Sequence, residues 1–114
     1  MLPQKNRLKK DKDFEQVFKK GKFFREDFLR LGLLLNNLNN NRFGFIVSAK
    51  VSKKAVLRNK IKRWLSAAVL LHSEILKKNQ LGVDVVVIVQ PKIVVKNFQT
   101  IAEVIKKLFI KVKI

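Results

Sequence analysis

Apolar positions along the chain follow a helical period in three places and a period of two between them. From Leu8 to Gly21, Phe14, Val17 and Phe18 share a face at i, i+3 and i+4. This spacing predicts a short helix with Asp11 as its N-cap and Gly21 at its C′ position. From Lys22 to Leu35 the period becomes two, with Leu29, Leu31, Leu33 and Leu35 on one face and Phe24, Glu26, Phe28 and Arg30 on the other. That pattern predicts a strand, with a break near Glu26-Asp27. Asn36 to Asn41 reads as a loop, and Arg42 to Ser48 resumes as a strand, so the two strands are expected to pair as a hairpin.

Ser52 is the predicted N-cap of a long second helix that runs to about Lys78. Leu57, Ile61, Trp64, Leu65, Ala68, Leu71, His72 and Ile75 form its apolar stripe, with Arg58, Asn59, Lys62, Arg63 and Ser66 opposite. Val83 to Gln90 has the continuous apolar run of a strand buried on both faces, stopped by Pro91. Asn97 to about Ile110 returns to helical spacing through Phe98, Ile101, Val104, Ile105 and Leu108. The expected order is α-β-β(-β)-α-β-α in one domain spanning residues 1–114, without repeat or linker.

Composition turns this fold prediction toward a partner. Hydrophobic residues make up 47% of the 114, enough for a core, yet 26 Lys and Arg against 8 Asp and Glu give a net charge of +18. So much like charge on a small globule is self-repulsive and calls for a polyanion: nucleic acid first, an anionic membrane second. There is no cysteine, which excludes disulfides and thiolate metal sites and fits a reducing cytosol. The opening residues, Met1 to Arg7, lack the apolar stretch of a secretory signal, and Ala67 to Leu71 is far too short to cross a bilayer. The expectation is therefore a soluble, cytoplasmic protein.

The charge is concentrated. Lys50 to Arg63 carries seven basic side chains (Lys50, Lys53, Lys54, Arg58, Lys60, Lys62 and Arg63) and no acid, at helical apolar spacing. Arg58 and Lys62 are like charges four residues apart, which weakens a helix. Lys53 and Lys54 are expected in a first turn, where the dipole disfavours cations. Phosphates would relieve both defects, with Arg58 and Arg63 as bidentate donors and Asn59 bonding a base edge or sugar. The competing explanation is a solvated cationic face. Phe14 and Phe18 have core spacing, but lie among Lys12, Lys19, Lys20 and Lys22, where rings can also stack unpaired bases. His72, the one histidine, falls on the apolar stripe and reads as a packed side chain. The sequence shows no carboxylate pair, Ser/His/Asp set, phosphate loop or metal-ligand cluster, so no catalytic residue and no metal ligand is assigned.

Arg42 to Arg63, Arg-Phe-Gly-Phe-Ile-Val-Ser-Ala-Lys-Val-Ser-Lys-Lys-Ala-Val-Leu-Arg-Asn-Lys-Ile-Lys-Arg, resembles the signature of the bacterial ribonuclease P protein component. Leu8 to Gly21 is similar to the opening helix of that family, and Gly82-x-Asp84 with the following Val-Val-Ile to its last strand. The resemblance implies an α/β (α+β) two-layer sandwich, ribosomal-protein-S5-domain-2-like, with a mostly antiparallel sheet and a left-handed crossover. It implies a protein that binds a catalytic RNA, in one-to-one ratio, and helps it remove the 5′ leader of precursor tRNA. In that scheme the RNA carries out the endonucleolytic cut and holds most of the Mg²⁺. By position, Arg58, Asn59, Lys60, Lys62 and Arg63 would contact the RNA subunit. Phe14, Phe18, Lys50, Lys53 and Lys54 would line a cleft for the single-stranded leader.

The chain departs from the family pattern in places. Lys60 stands where the family usually has Arg, exchanging a planar fork for a point charge. Ala49 replaces the first Lys of a pair and Ser66 replaces an Arg. Val69 and Leu70 then place apolar atoms on the cationic side. Two other readings remain at this level: a structural RNA-binding protein of ribosomal type, and a binder of anionic membranes through the long amphipathic helix.

Overall fold

The computed structural model of the protein describes residues 2–78, 82–91, 93 and 96–112. Helix α1 spans Asp11–Lys20, strands β1, β2 and β3 span Lys22–Glu26, Leu29–Leu35 and Arg42–Ile46, and helix α2 spans Ala55–His72. Strand β4 spans Val83–Val89 and helix α3 Phe98–Lys111. The sheet order is β1-β2-β4-β3. Both β1 with β2 and β2 with β4 pair antiparallel, while β3 and β4 are parallel.

The expected hairpin between β2 and β3 does not form; β4 lies between them. Six of the seven residues of β4 are buried, and a strand buried on both faces is suited to the interior of a sheet rather than its edge. The asparagine loop is bound to the start of β4. Asn36 N–H donates to Gly82 O at 3.1 Å, and Gly82 N–H to Leu38 O at 3.0 Å. Asn41 Oδ1 accepts from Val83 N–H at 3.0 Å. The hairpin of this chain is instead β1–β2, closed by Asp27 and Phe28 between the partners Glu26 and Leu29, with Asp27 at a φ of 52°. That turn changes the two-face reading: Phe24 is opposite Leu31 on the core side, and Phe28 is fully buried. Leu35, at the strand end, is exposed.

The main core lies between one sheet face and the helices α2 and α3. It includes Leu29, Leu31 and Leu33 of β2, Val85 and Val87 of β4, Leu65 and Val69 of α2, and Ile105 and Phe109 of α3. Helix α1 crosses the other face, where Val17 packs with Leu8 and Val86. Lys111 Nζ of α3 meets Glu26 Oε1 at 2.7 Å and Arg25 O at 2.7 Å, tying α3 to β1. The ammonium holds the Glu26 carboxyl below the usual carboxylate range.

Helix ends differ from the sequence reading. The N-cap of α1 is Lys10, with no side-chain cap bond, and Asp11 lies in the first turn with Asp13, where the dipole favours carboxylates. Gly21 caps the helix in extended backbone, with φ −74° and ψ 162°, not in the left-handed region. A side chain is excluded there by proximity: a Cβ would lie 2.5 Å from Val17 O and 3.0 Å from Leu33 O. Ser52 does not cap α2. Its Oγ accepts from Lys54 N–H at 3.2 Å, and the helix begins at Ala55. A turn closed by Val51 N–H to Ser48 O, with Val51 in the core, holds the chain out of helix until then.

Helix α2 ends at His72 and continues as a 3-10 turn over Ser73–Lys78, from which Ile75 and Leu76 pack on the core. The buried face of α2 is broader than the predicted stripe, because α3 packs beside it. Ser66 and Val69, expected on the cationic side, are buried, whereas Leu71, expected in the stripe, is 60% exposed.

Candidate nucleic-acid interface

Two surfaces carry the residues singled out by the sequence. The first is the outer face of α2. At 100° per residue, Asn59, Arg63 and Leu70 share one line, and Asn59, Lys60, Lys62 and Arg63 are all exposed. Val56, 81% exposed, starts this face and Leu70 ends it, so only part of the apolar departure expected at Val69 and Leu70 is at the surface. Arg58 is half-buried; its Nη1 donates to Ser52 O at 2.8 Å, fastening the chain ahead of the helix. Lys60 Nζ lies 4.7 Å from the Trp64 ring centroid, and Trp64 packs edge-on against Phe98. Lys54 is the N-cap of α2 and Lys53 stands just before it, ahead of the first turn but still at the positive end of the helix dipole. Both are exposed, as is Lys50.

The second surface is the sheet face under α1. This helix passes from β3 to β1. Phe14 lies against Gly44 of β3 so closely that a Cβ on Gly44 would clash with the ring. Val17 reaches Gly32 of β2, and Phe18 stacks on Phe23 of β1 with centroids 5.8 Å apart. A Cβ on Gly32 would lie 2.8 Å from Phe23 Cε2, so both glycines let an aromatic ring rest on the backbone. Phe14 is half-buried and Phe18 is 47% exposed. Core packing and an open ring face thus coexist in this pair. Among the described residues, neither ring takes a cation from Lys50, Lys53 or Lys54.

The mouth of this surface is pinned by ion pairs. Arg42 Nε donates to Asp84 Oδ1 at 2.8 Å and Nη2 to Asp84 Oδ2 at 2.7 Å, while Nη1 is 3.4 Å from Asp13 Oδ2 of α1. Asp84 is buried and also accepts from Asn36 Nδ2 at 2.8 Å. The carboxylate pushes the Arg42 pKa up from its ordinary value. One guanidinium therefore joins β3, β4 and α1.

Beyond α1 one row of the same face stays open. Arg25 is opposite Arg30, Arg30 opposite Ile88, and Ile88 opposite Ile46 across all four strands. Ile88 is the one residue of β4 that is not buried. The Arg30 guanidinium lies 5.6 Å from the Phe23 centroid. Arg25, Arg30 and Phe23 were not singled out in the sequence. The signal was present as a two-residue turn after Glu26, which brings two period-two strands into this register.

Among the described residues no group of three or more His, Asp or Glu side chains is placed to hold a metal ion. Asp13 and Asp84 are engaged by Arg42, and Glu26 by Lys111. No helix among the described residues is long and apolar enough to cross a membrane.

The sequence model of the Ribonuclease P family matches residues 2–113. The chain is 36% identical to the ribonuclease P protein component of Pseudanabaena sp. over 115 residues, covering 100% of this chain and 97% of the relative. It is 37% identical to the component of Synechocystis sp., covering 95% and 86% of the two chains. Among solved structures, the ribonuclease P protein of Thermotoga maritima superimposes with a TM-score of 0.81 at 28% identity, over 93% of this chain and 96% of the other. The Staphylococcus aureus protein gives 0.78 at 29%, over 90% and 91%. With four strands and three α-helices among the described residues, a cationic helix face and this extent of likeness, the chain belongs to the ribonuclease P protein family.

Proposed function

We propose that this protein works in ribonuclease P as a positioning subunit with two RNA-binding faces. As a ribonuclease P component it has the family's RNA and precursor tRNA as partners. The outer face of α2, with Arg58, Asn59, Lys60, Lys62 and Arg63, holds the RNA subunit. The surface between α1 and the sheet holds the single-stranded 5′ leader through Phe14 and Phe18, with Lys50, Lys53 and Lys54 supplying phosphate contacts. One protein serves one RNA, in the cytoplasm.

The observation that carries this reading is the state of Phe14 and Phe18. Two rings anchored against glycine backbone and a neighbouring ring, yet partly open, form a stacking platform of the kind single strands use. In this reading hydrolysis belongs to the RNA, and the protein's part is to hold and position the substrate. Of the acidic groups on the α1 side, Asp13 and Asp84 are engaged by Arg42, and among the described residues no three His, Asp or Glu side chains stand together as a Mg²⁺ donor set. The metal would be held by RNA phosphates, and no step is routed through the protein.

Reconstitution tests the reading. Adding this protein to its RNA subunit at low Mg²⁺ should raise cleavage of a precursor tRNA bearing a leader of several nucleotides. A leader of one nucleotide should remove most of the gain in substrate affinity. A purely structural RNA-binding protein would bind the RNA without stimulating cleavage of either substrate.

A further inference from the structure

We propose that the open row formed by Arg25, Arg30, Ile88 and Ile46 continues the leader surface across the sheet. Arg25 and Arg30 there hold a backbone phosphate of the single strand at the β1 edge. This deepens the leader reading above and rests on it.

Three observations point the same way. Arg25 and Arg30 are direct cross-strand partners, an arrangement of like charges that destabilises a strand pair. Both are exposed, and neither forms an ion pair among the described residues. The pair therefore lacks an internal counter-charge and suits an external anion, which an arginine pair can grip with several N–H donors. Between these arginines and β3 the floor is apolar, with Ile88 and Ile46 half-buried. At the usual strand separation the row is about 14 Å long.

The wall beside it is aromatic. Phe18 stacks on Phe23 with centroids 5.8 Å apart, and the Arg30 guanidinium lies 5.6 Å from the Phe23 centroid. Phe14 stands at the β3 end. A strand of RNA laid along this row meets rings for its bases, an isoleucine floor and a cationic end. Sequence-tolerant stacking beside cations is how single strands are bound, and a guanidinium plane can itself stack a base. A folded duplex would present phosphates but no free base faces to the ring wall.

The test compares two precursor tRNAs bound by the reconstituted holoenzyme, one with a leader of one nucleotide and one of about ten, within the span of known single-strand sites. With Arg25→Ala and Arg30→Ala together, the ratio of long-leader to short-leader affinity should fall about tenfold, as expected for loss of a charge-assisted phosphate contact. Arg30→Lys should restore part of that ratio, because the charge remains. An equal loss on both leaders would assign the arginines to the RNA subunit, and no loss on either would assign them to the bare surface; each overturns the proposal. If alanine lowers the thermal midpoint, Arg25→Gln with Arg30→Gln repeats the measurement on a folded chain. Phe14→Ala is the control for the parent reading. If it changes the ratio while the arginine variants do not, only the extension fails; if neither does, the leader surface itself is wrong.

Discussion

At the scale of single residues, Gly44 and Phe14 show how an absent side chain shapes the leader surface. The ring occupies the space a Cβ would need, and Leu8 Cβ stands 3.2 Å from the same point. Gly44→Ala should therefore cost about 1–3 kcal/mol, the usual range for overpacking a filled site, when followed by urea unfolding. In a Phe14→Ala background most of that cost should vanish, since the ring is the main obstacle. A cost that is the same in both backgrounds would mean that backbone strain, not the ring, excludes the methyl. The sequence placed Phe14 on a helix face but could not show its floor, because Gly44 is thirty residues away and its neighbour across space depends on the tertiary fold.

At the scale of elements, α2 separates two jobs that a charge map merges. Arg63 is exposed and makes no bond among the described residues, whereas Arg58 is half-buried and bonds Ser52 O. Arg63→Ala should lower affinity for the RNA subunit and flatten the slope of log K against log salt by about 0.7–0.9, the value for one lost phosphate contact. Its stability in urea should change by less than about 0.5 kcal/mol, as for ordinary surface positions. Arg58→Ala should change both, losing about 1 kcal/mol of stability with its hydrogen bond. An unchanged slope in Arg63→Ala would remove the outer face of α2 from the RNA interface. The cationic face was legible from helical spacing alone. Its true edges were not, because Ser66 and Val69 are buried by packing within the whole fold, which the spacing of α2 alone does not display.

At the scale of the whole molecule, a net charge of +18 on a body with a radius of gyration of 13.1 Å sets stability against RNA affinity. Raising ionic strength from about 0.1 M to about 1 M shortens the Debye length from about 10 Å to about 3 Å. Repulsion across the free protein is then screened, so its thermal midpoint should rise, by about 4 °C or more for each kcal/mol relieved. The same salt should weaken RNA binding, because counterion release no longer favours the complex. Calorimetry and binding over one salt series would test the pair of opposite trends. A midpoint that stays level or falls would mean the charges are already neutralised within the fold.

Much of the molecule follows from local pattern. The three helices and the strands come from apolar periodicity, and the basic run from Lys50 to Arg63 identifies a polyanion partner because nothing in that run can balance it. Those properties depend on residues a few positions apart, which the sequence displays directly. Tertiary structure alone decided which strands are neighbours. The insertion of β4 between β2 and β3 overturned the expected hairpin, because burial on both faces outweighed proximity in the chain. It also decided that Phe14 and Phe18 are at once packed and open, and that Arg25 and Arg30 stand side by side. Such facts depend on contacts between segments far apart in sequence, and those contacts form only when the whole core does.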